Sequence, residues 1–226
     1  MAHLIIHVGS PKTATTTLQN TLFLQLHELE LINYIGICRD NKYPNKQRLR
    51  PLLREFIHDY HNHSENLNNF LAEHLCSNKL NLISEESFFN SFAIPGSLFP
   101  ISKFCYLPCF KDFSISVLCV LRNQVELLQS LYAHCKALDQ YNKPYDTDTY
   151  ISRSLSQSLS MLKYDSVISS YLEVSNIVDV KTLLFEELSK DIYSFCAKLS
   201  EFINVPIDVC VNSLSINHLY QKPRSA

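Results

Sequence analysis

The sequence predicts a three-layer α/β fold, a mainly parallel sheet flanked by helices, in a single domain covering residues 1–226. Three observations carry this. Apolar runs of strand length alternate with longer amphipathic stretches, the pattern of strand–helix–strand units. Several of the short runs are apolar on both faces, as strands buried in a parallel sheet are. Only three glycines occur, too few for an all-β protein full of tight turns. A chain of 226 residues can bury roughly 70% of its unfolded surface, enough for one substantial core.

In chain order, the first strand is Leu4–Val8. Gly9 lets the backbone turn, Pro11 stiffens the loop, and a helix runs over Thr15–Leu29. A second strand, Asn33–Cys38, precedes two amphipathic helices at Leu49–His61 and Asn66–Ser77. The third strand is the short run Asn81–Ser84, and the fourth is Ile115–Leu121, "ISVLCVL". Helix Gln124–Leu138 follows, with Asn123 as its cap and Glu126 three residues on, a capping-box-like pair. A helical stretch with a break, Asp148–Glu173, leads to strand Val180–Phe185 and helix Glu187–Ile203. The segment Lys136–Tyr150 reads as a loop, either a lid or a connection. No internal repeat is visible.

Composition narrows the function. Net charge is −2, so no molecule-wide field draws in nucleic acid, and any anion site is local. No apolar run approaches the roughly 20 residues of a membrane span. "MAHLIIHVG" lacks a basic leader and a long apolar core, so no signal peptide is expected and the chain is placed in the cytoplasm. The eight cysteines are accordingly read as reduced. Cys105 and Cys109 form a CxxxC without a second ligand pair, which reads as two buried thiols and not as a zinc site. The histidines of "HDYHNH" (His58–His63) read as a solvated helix end or loop. No metal is expected.

In sheets of this kind ligands bind beyond the carboxyl ends of the strands. Gly9, Ser84 and Arg122 all lie there. The first of these ends opens "GSPKTATTTL", in which a strand runs into a turn and then a helix start. Free N–H groups at a helix start suit an anion, and Lys12 adds a full charge. Thr13, Thr15, Thr16 and Thr17 add hydroxyls, and Ser10, Pro11 and Ala14 complete the loop. An ATP-type loop requires GxxxxGK[ST]. Counted from Gly9, Ala14 and Thr15 stand where its second glycine and its lysine would be. No aspartate suited to magnesium is identifiable.

"PKTATTTL" (Pro11–Leu18) resembles the 5′-phosphosulfate loop, PKTGTTxL, of sulfotransferases that use 3′-phosphoadenosine 5′-phosphosulfate (PAPS). Ala14 occupies the glycine place, which suits alanine where φ is negative. That family's second motif is an arginine at a strand end with a serine eight residues on, binding the 3′-phosphate. "VLRNQVELLQSLYAHC" supplies Arg122 and Ser130 at that spacing. Arg122 on its own reads better as a surface ion pair, and the first motif at a similar sheet edge reverses that preference. The resemblance is strongest over residues 4–22 and 115–135, and weaker at "VKTLLFEELSKD" (Val180–Asp191). It implies a P-loop-NTPase-like sulfotransferase fold. It also implies PAPS as co-substrate, 3′,5′-adenosine bisphosphate as product, and a hydroxylated acceptor. Ser10, Pro11, Lys12, Thr13, Ala14, Thr15, Thr16, Thr17, Arg122 and Ser130 would then bind the nucleotide, with Lys222 and Arg224 of the tail closing over it or forming a solvated end.

Sulfuryl transfer needs a base for the acceptor proton and positive charge at the leaving phosphate. Lys12 suits the second task. For the first, some members use a histidine and others a glutamate after the central strand. "LNLISEESFFNS" (Leu80–Ser91) has no histidine, so a carboxylate is expected: Glu85, in an ExS pattern with Ser87, or Glu86 if the register shifts by one. The alternative is a pair of solvent-facing residues favoured by a helix dipole. Tyr132, Lys136 and Lys163 are candidates for the acceptor cleft. Two other functions fit the loop: an atypical kinase, against which the missing lysine counts, and a nucleotide-binding protein without activity.

Overall fold

The computed structural model of the chain describes residues 2–10, 12–36, 49–90, 101–137 and 162–215. Its centre is a five-stranded parallel sheet in the order β2-β3-β1-β4-β5. The strands are β1 (Ala2–Gly9), β2 (Asn33–Gly36), β3 (Asn81–Ser84), β4 (Phe113–Leu121) and β5 (Ile177–Leu184). The two longest apolar runs, β1 and β4, lie side by side in the middle. From β1 the chain crosses to one side of the sheet, and from β4 to the other. The crevice between their carboxyl ends is therefore the switch point where such sheets bind ligands. Gly9 pairs with Val120 there, so the loop after β1 and Arg122 after β4 emerge together.

The pleat divides the core between two helical layers. Leu4, Ile6 and Val8 pack on one face with Ile83, Val117, Phe56, Phe88, Phe104 and Tyr171. Ile5, Leu82, Leu118 and Val120 pack on the other with Leu18, Leu22, Phe23, Phe195 and Leu199. This is the three-layer arrangement read from the two-faced apolar strands.

The helices depart from expectation mainly at their ends. After the loop come α1 (Thr15–Thr17), a π-helical segment (Leu18–Phe23) and α2 (Leu24–Glu28), in place of one regular helix. α3 (Leu49–His58) and α4 (Tyr60–His74) meet at Asp59, which accepts a hydrogen bond from Asn62 N–H and starts the second helix six residues earlier than Asn66. "HDYHNH" is thus a helix junction. Two short helices, α5 (Ser87–Asn90) and α6 (Ile101–Cys105), were not read from the sequence. α7 (Gln124–Ala137) follows β4, and α8 (Tyr164–Leu172) is the described part of the stretch expected over Asp148–Glu173. The last expected helix is split into α9 (Phe185–Lys190) and α10 (Ile192–Ile203), because Asp191 accepts from Ser194 N–H and caps a new start. Phe185 opens α9 and does not end the strand. A final helix, α11 (Ile207–Ser215), was also not foreseen.

Cys105 is buried and Cys109 half-buried, and burial pushes both thiols up to about 12. Among the described residues no helix is long and apolar enough to cross a membrane. Lys136–Tyr150 lies almost wholly outside the described residues.

Candidate functional site

The anion loop is built by steric necessity at one end and backbone strain at the other. A Cβ on Gly9 would stand 1.9 Å from Thr15 Oγ1, so only glycine lets Thr15 fold back over the strand end. Lys12 has φ 64° and Ala14 has φ 61°, with Thr13 between them outside the positive-φ region. Two left-handed residues one position apart turn the chain sharply at the strand end, where backbone N–H groups of the loop are free to meet an anion. The condition under which alanine suits the glycine place, a negative φ, is not met at Ala14: the loop's path puts a left-handed residue there, whatever the side chain. That conformation costs a Cβ-bearing residue about 1–2 kcal/mol. Ala14 is held in it by its carbonyl, which accepts Leu18 N–H at 3.0 Å, and by contact with the second core cluster.

The loop's hydroxyls divide by task. Thr13 Oγ1 donates to Ser10 O at 2.6 Å, a buried staple across the turn. Ser10 and Thr15 are buried, and neither hydroxyl has a hydrogen-bond partner among the described residues. Thr16 and Thr17 are half-buried, as is Lys12. Pro11, Lys222 and Arg224 lie outside the described residues, as do the side chains of Tyr132 and Lys136. Lys163 is exposed, at the cap of α8.

Arg122 reaches the loop directly. Its Nη1 donates to Lys12 O at 3.1 Å, and Nη2 lies 3.8 Å from Glu126. Asn123 caps α7 as expected, its Oδ1 accepting from Val125 and Glu126 N–H at 3.0 and 3.2 Å. The reciprocal half of the box is absent. Asn123 N–H instead donates to Glu186 Oε1 at 2.8 Å, leaving Glu126 to Arg122. Tyr164 Oη donates to Arg122 O at 2.6 Å from α8. Ser130 is half-buried on α7.

The two candidate bases differ sharply in setting. Glu85 N–H donates to His7 O at 3.2 Å, extending the β1–β3 ladder by one residue, and the residue is only 3% exposed. Glu86 is half-buried and begins the turn into α5, its carbonyl accepting Phe89 N–H. A solvent-facing pair is not what forms.

Beneath this lies a buried polar group that the sequence reading missed. His7 Nδ1 and Ser84 Oγ are 2.7 Å apart, and Gln19 Nε2 donates to the same oxygen at 3.0 Å. Gln19 comes from the π-helical segment, so the helix behind the anion loop is tied to the strand end that carries Glu85. Burial holds the His7 imidazole down at about 3, hence neutral at pH 7. The available signal was a histidine inside a strand apolar on both sides, which must find a partner.

A family model described as the sulfotransferase domain matches residues 3–226. No curated protein matches the sequence. Among solved structures, mouse sulfotransferase SULT7A1 complexed with PAP is similar at 12% identity and a TM-score of 0.52, over 99% of this chain and 68% of that one. A sulfotransferase from Alicyclobacillus acidocaldarius is similar at 17% identity and a TM-score of 0.52, over 92% of this chain and 83% of that one. A retinol dehydratase in complex with androsterone and inactive cofactor PAP is similar at 16% identity and a TM-score of 0.50, over 93% and 64%. At these identities the structures establish the fold.

Proposed function

Because the chain belongs to the sulfotransferase family, we propose that it moves a sulfuryl group from PAPS to a hydroxyl or amine of a saccharide, lipid-linked or small-molecule acceptor. The observation that carries this is the loop with left-handed residues at Lys12 and Ala14, docked through Lys12 O onto Arg122 at the switch point. One strand over, Glu85 stands at the end of β3.

In the reaction the acceptor oxygen attacks sulfur in line with the bond to the 5′-phosphate. A new S–O bond forms to the acceptor as the bond to the phosphate oxygen breaks, and 3′,5′-adenosine bisphosphate departs. Glu85 takes the acceptor proton, with Glu86 as the alternative. Lys12 and the loop N–H groups meet the charge that grows on the leaving phosphate. Thr16 and Thr17 supply hydroxyls to the 5′-phosphate. Arg122 and Ser130 take the 3′-phosphate, a task for which a guanidinium is suited because it donates two parallel hydrogen bonds. Lys222 and Arg224 are assigned to the nucleotide as well. No step uses a metal.

Calorimetric titration tests this reading. Micromolar binding of 3′,5′-adenosine bisphosphate with no binding of ATP and magnesium is expected. The reverse preference would remove PAPS as donor. Lys12→Ala is expected to keep the fold and abolish transfer in an assay with labelled PAPS.

A further inference from the structure

Arg122 is held from three sides. Nη1 donates to Lys12 O, Nη2 faces Glu126, and the guanidinium carbon lies 4.5 Å over the Phe185 ring. Its Nε is buried with no partner among the described residues. Two features of this seat stand apart from binding a 3′-phosphate. The carbonyl it grips belongs to Lys12, the first left-handed residue of the loop, so relaxing that residue would break the bond. The ring beneath it comes from a different element, the first residue of α9, and is itself packed against the second core cluster. The guanidinium is therefore anchored to the core on one face and to the strained loop along one edge.

We infer that Arg122, seated by Phe185, braces the anion loop, so that the loop's grip on a 5′-phosphate depends on the residue assigned to the opposite, 3′ end of the ligand. The inference rests on the sulfotransferase reading for its ligand. It makes Phe185 a positioning residue, since the ring acts only through Arg122. A guanidinium over an aromatic face gains modestly in a half-buried setting. Its loss frees a long side chain to leave the loop carbonyl, and the loop then samples relaxed conformations that do not hold an anion.

The test uses a ligand that lacks the 3′ group. The full chain is titrated with 3′,5′-adenosine bisphosphate and with adenosine 5′-monophosphate, as wild type, Phe185→Leu, Phe185→Tyr and Arg122→Ala. Phe185→Leu is expected to weaken the monophosphate roughly 3–10-fold and the bisphosphate by at least that factor, because the unseated guanidinium also serves the 3′-phosphate. Phe185→Tyr, which keeps the ring, restores both. Arg122→Ala is expected to weaken the monophosphate about tenfold and the bisphosphate by a larger factor, because it removes the brace and the 3′ contact together. Melting curves of the unliganded variants report that each is folded. A monophosphate affinity within twofold of wild type in both Phe185→Leu and Arg122→Ala overturns the inference and leaves the nucleotide reading intact. A wild-type chain that binds neither ligand overturns the nucleotide reading itself, and the brace with it.

Discussion

Ala14 shows how a single methyl group can work against a loop that the rest of the chain insists on. Its φ of 61° is imposed from both sides, by the Thr13–Ser10 staple before it and the Leu18 hydrogen bond after it. Removing the methyl relieves the strain. Ala14→Gly is therefore expected to stabilise the fold by about 1 kcal/mol, which raises Tm by roughly 2–4 °C in a chain of this size. An unchanged or lowered Tm would mean that the left-handed conformation is not the one the loop adopts. Glu85 belongs to the same scale. Its backbone is fixed by the ladder to His7 and its side chain is buried, whereas Glu86 opens a turn. Glu85→Gln is expected to leave nucleotide affinity intact and lower kcat by about 10²–10⁴-fold, the range for loss of a general base. A fully active Glu85→Gln together with an inactive Glu86→Gln would move the base by one residue.

Among the elements, two aspartates set helix boundaries that periodicity alone misplaces. The run from Glu187 to Ile203 is amphipathic throughout, so its apolar spacing gives no sign of a break. Asp191 nevertheless caps a new helix through Ser194 N–H at 3.0 Å. Asp191→Ala is expected to cost about 1 kcal/mol in denaturant unfolding, and Asp191→Asn to recover most of it. Equal stabilities for the two variants would show that the cap contributes nothing. The π-helical segment is a second case. Its widened turn carries Gln19 to Ser84 and so ties the helix behind the anion loop to the strand that ends at Glu85. Segments of this kind recur at functional sites.

At the scale of the whole molecule, acid sensitivity follows from His7. Its folded value is about 3 against an ordinary 6.5, because the sheet and Phe23 enclose the ring. The unfolded chain therefore binds the extra proton first. The neutral ring's contribution to stability is fully present above about pH 6.5 and is lost as pH falls from there toward 3. The slope is at most about 1.4 kcal/mol per pH unit from this group. His7→Gln is expected to flatten the wild-type fall in unfolding free energy over that window. Parallel curves for the two proteins would place the acid sensitivity elsewhere.

What the sequence alone determined was the class of sheet and the family whose motifs lie at its edge. The strands were legible because burial on both faces leaves continuous apolar runs. The loop was legible because its residues are adjacent: glycine, lysine and threonines follow one another through a turn and a helix start. The spacing from Arg122 to Ser130 was legible because the two residues are close in sequence, one just past the end of β4 and the other in the helix that follows at once. The remaining features came from contacts between distant segments. Arg122 meets Lys12 across 110 positions, and Ser84 meets His7 across 77. Phe185 lies under Arg122 only because β4 and β5 are neighbours. Such pairs leave no periodic or adjacent signal in a single chain. They exist because strand order places the ends of β3, β1, β4 and β5 side by side, and that order is decided by packing the whole core at once.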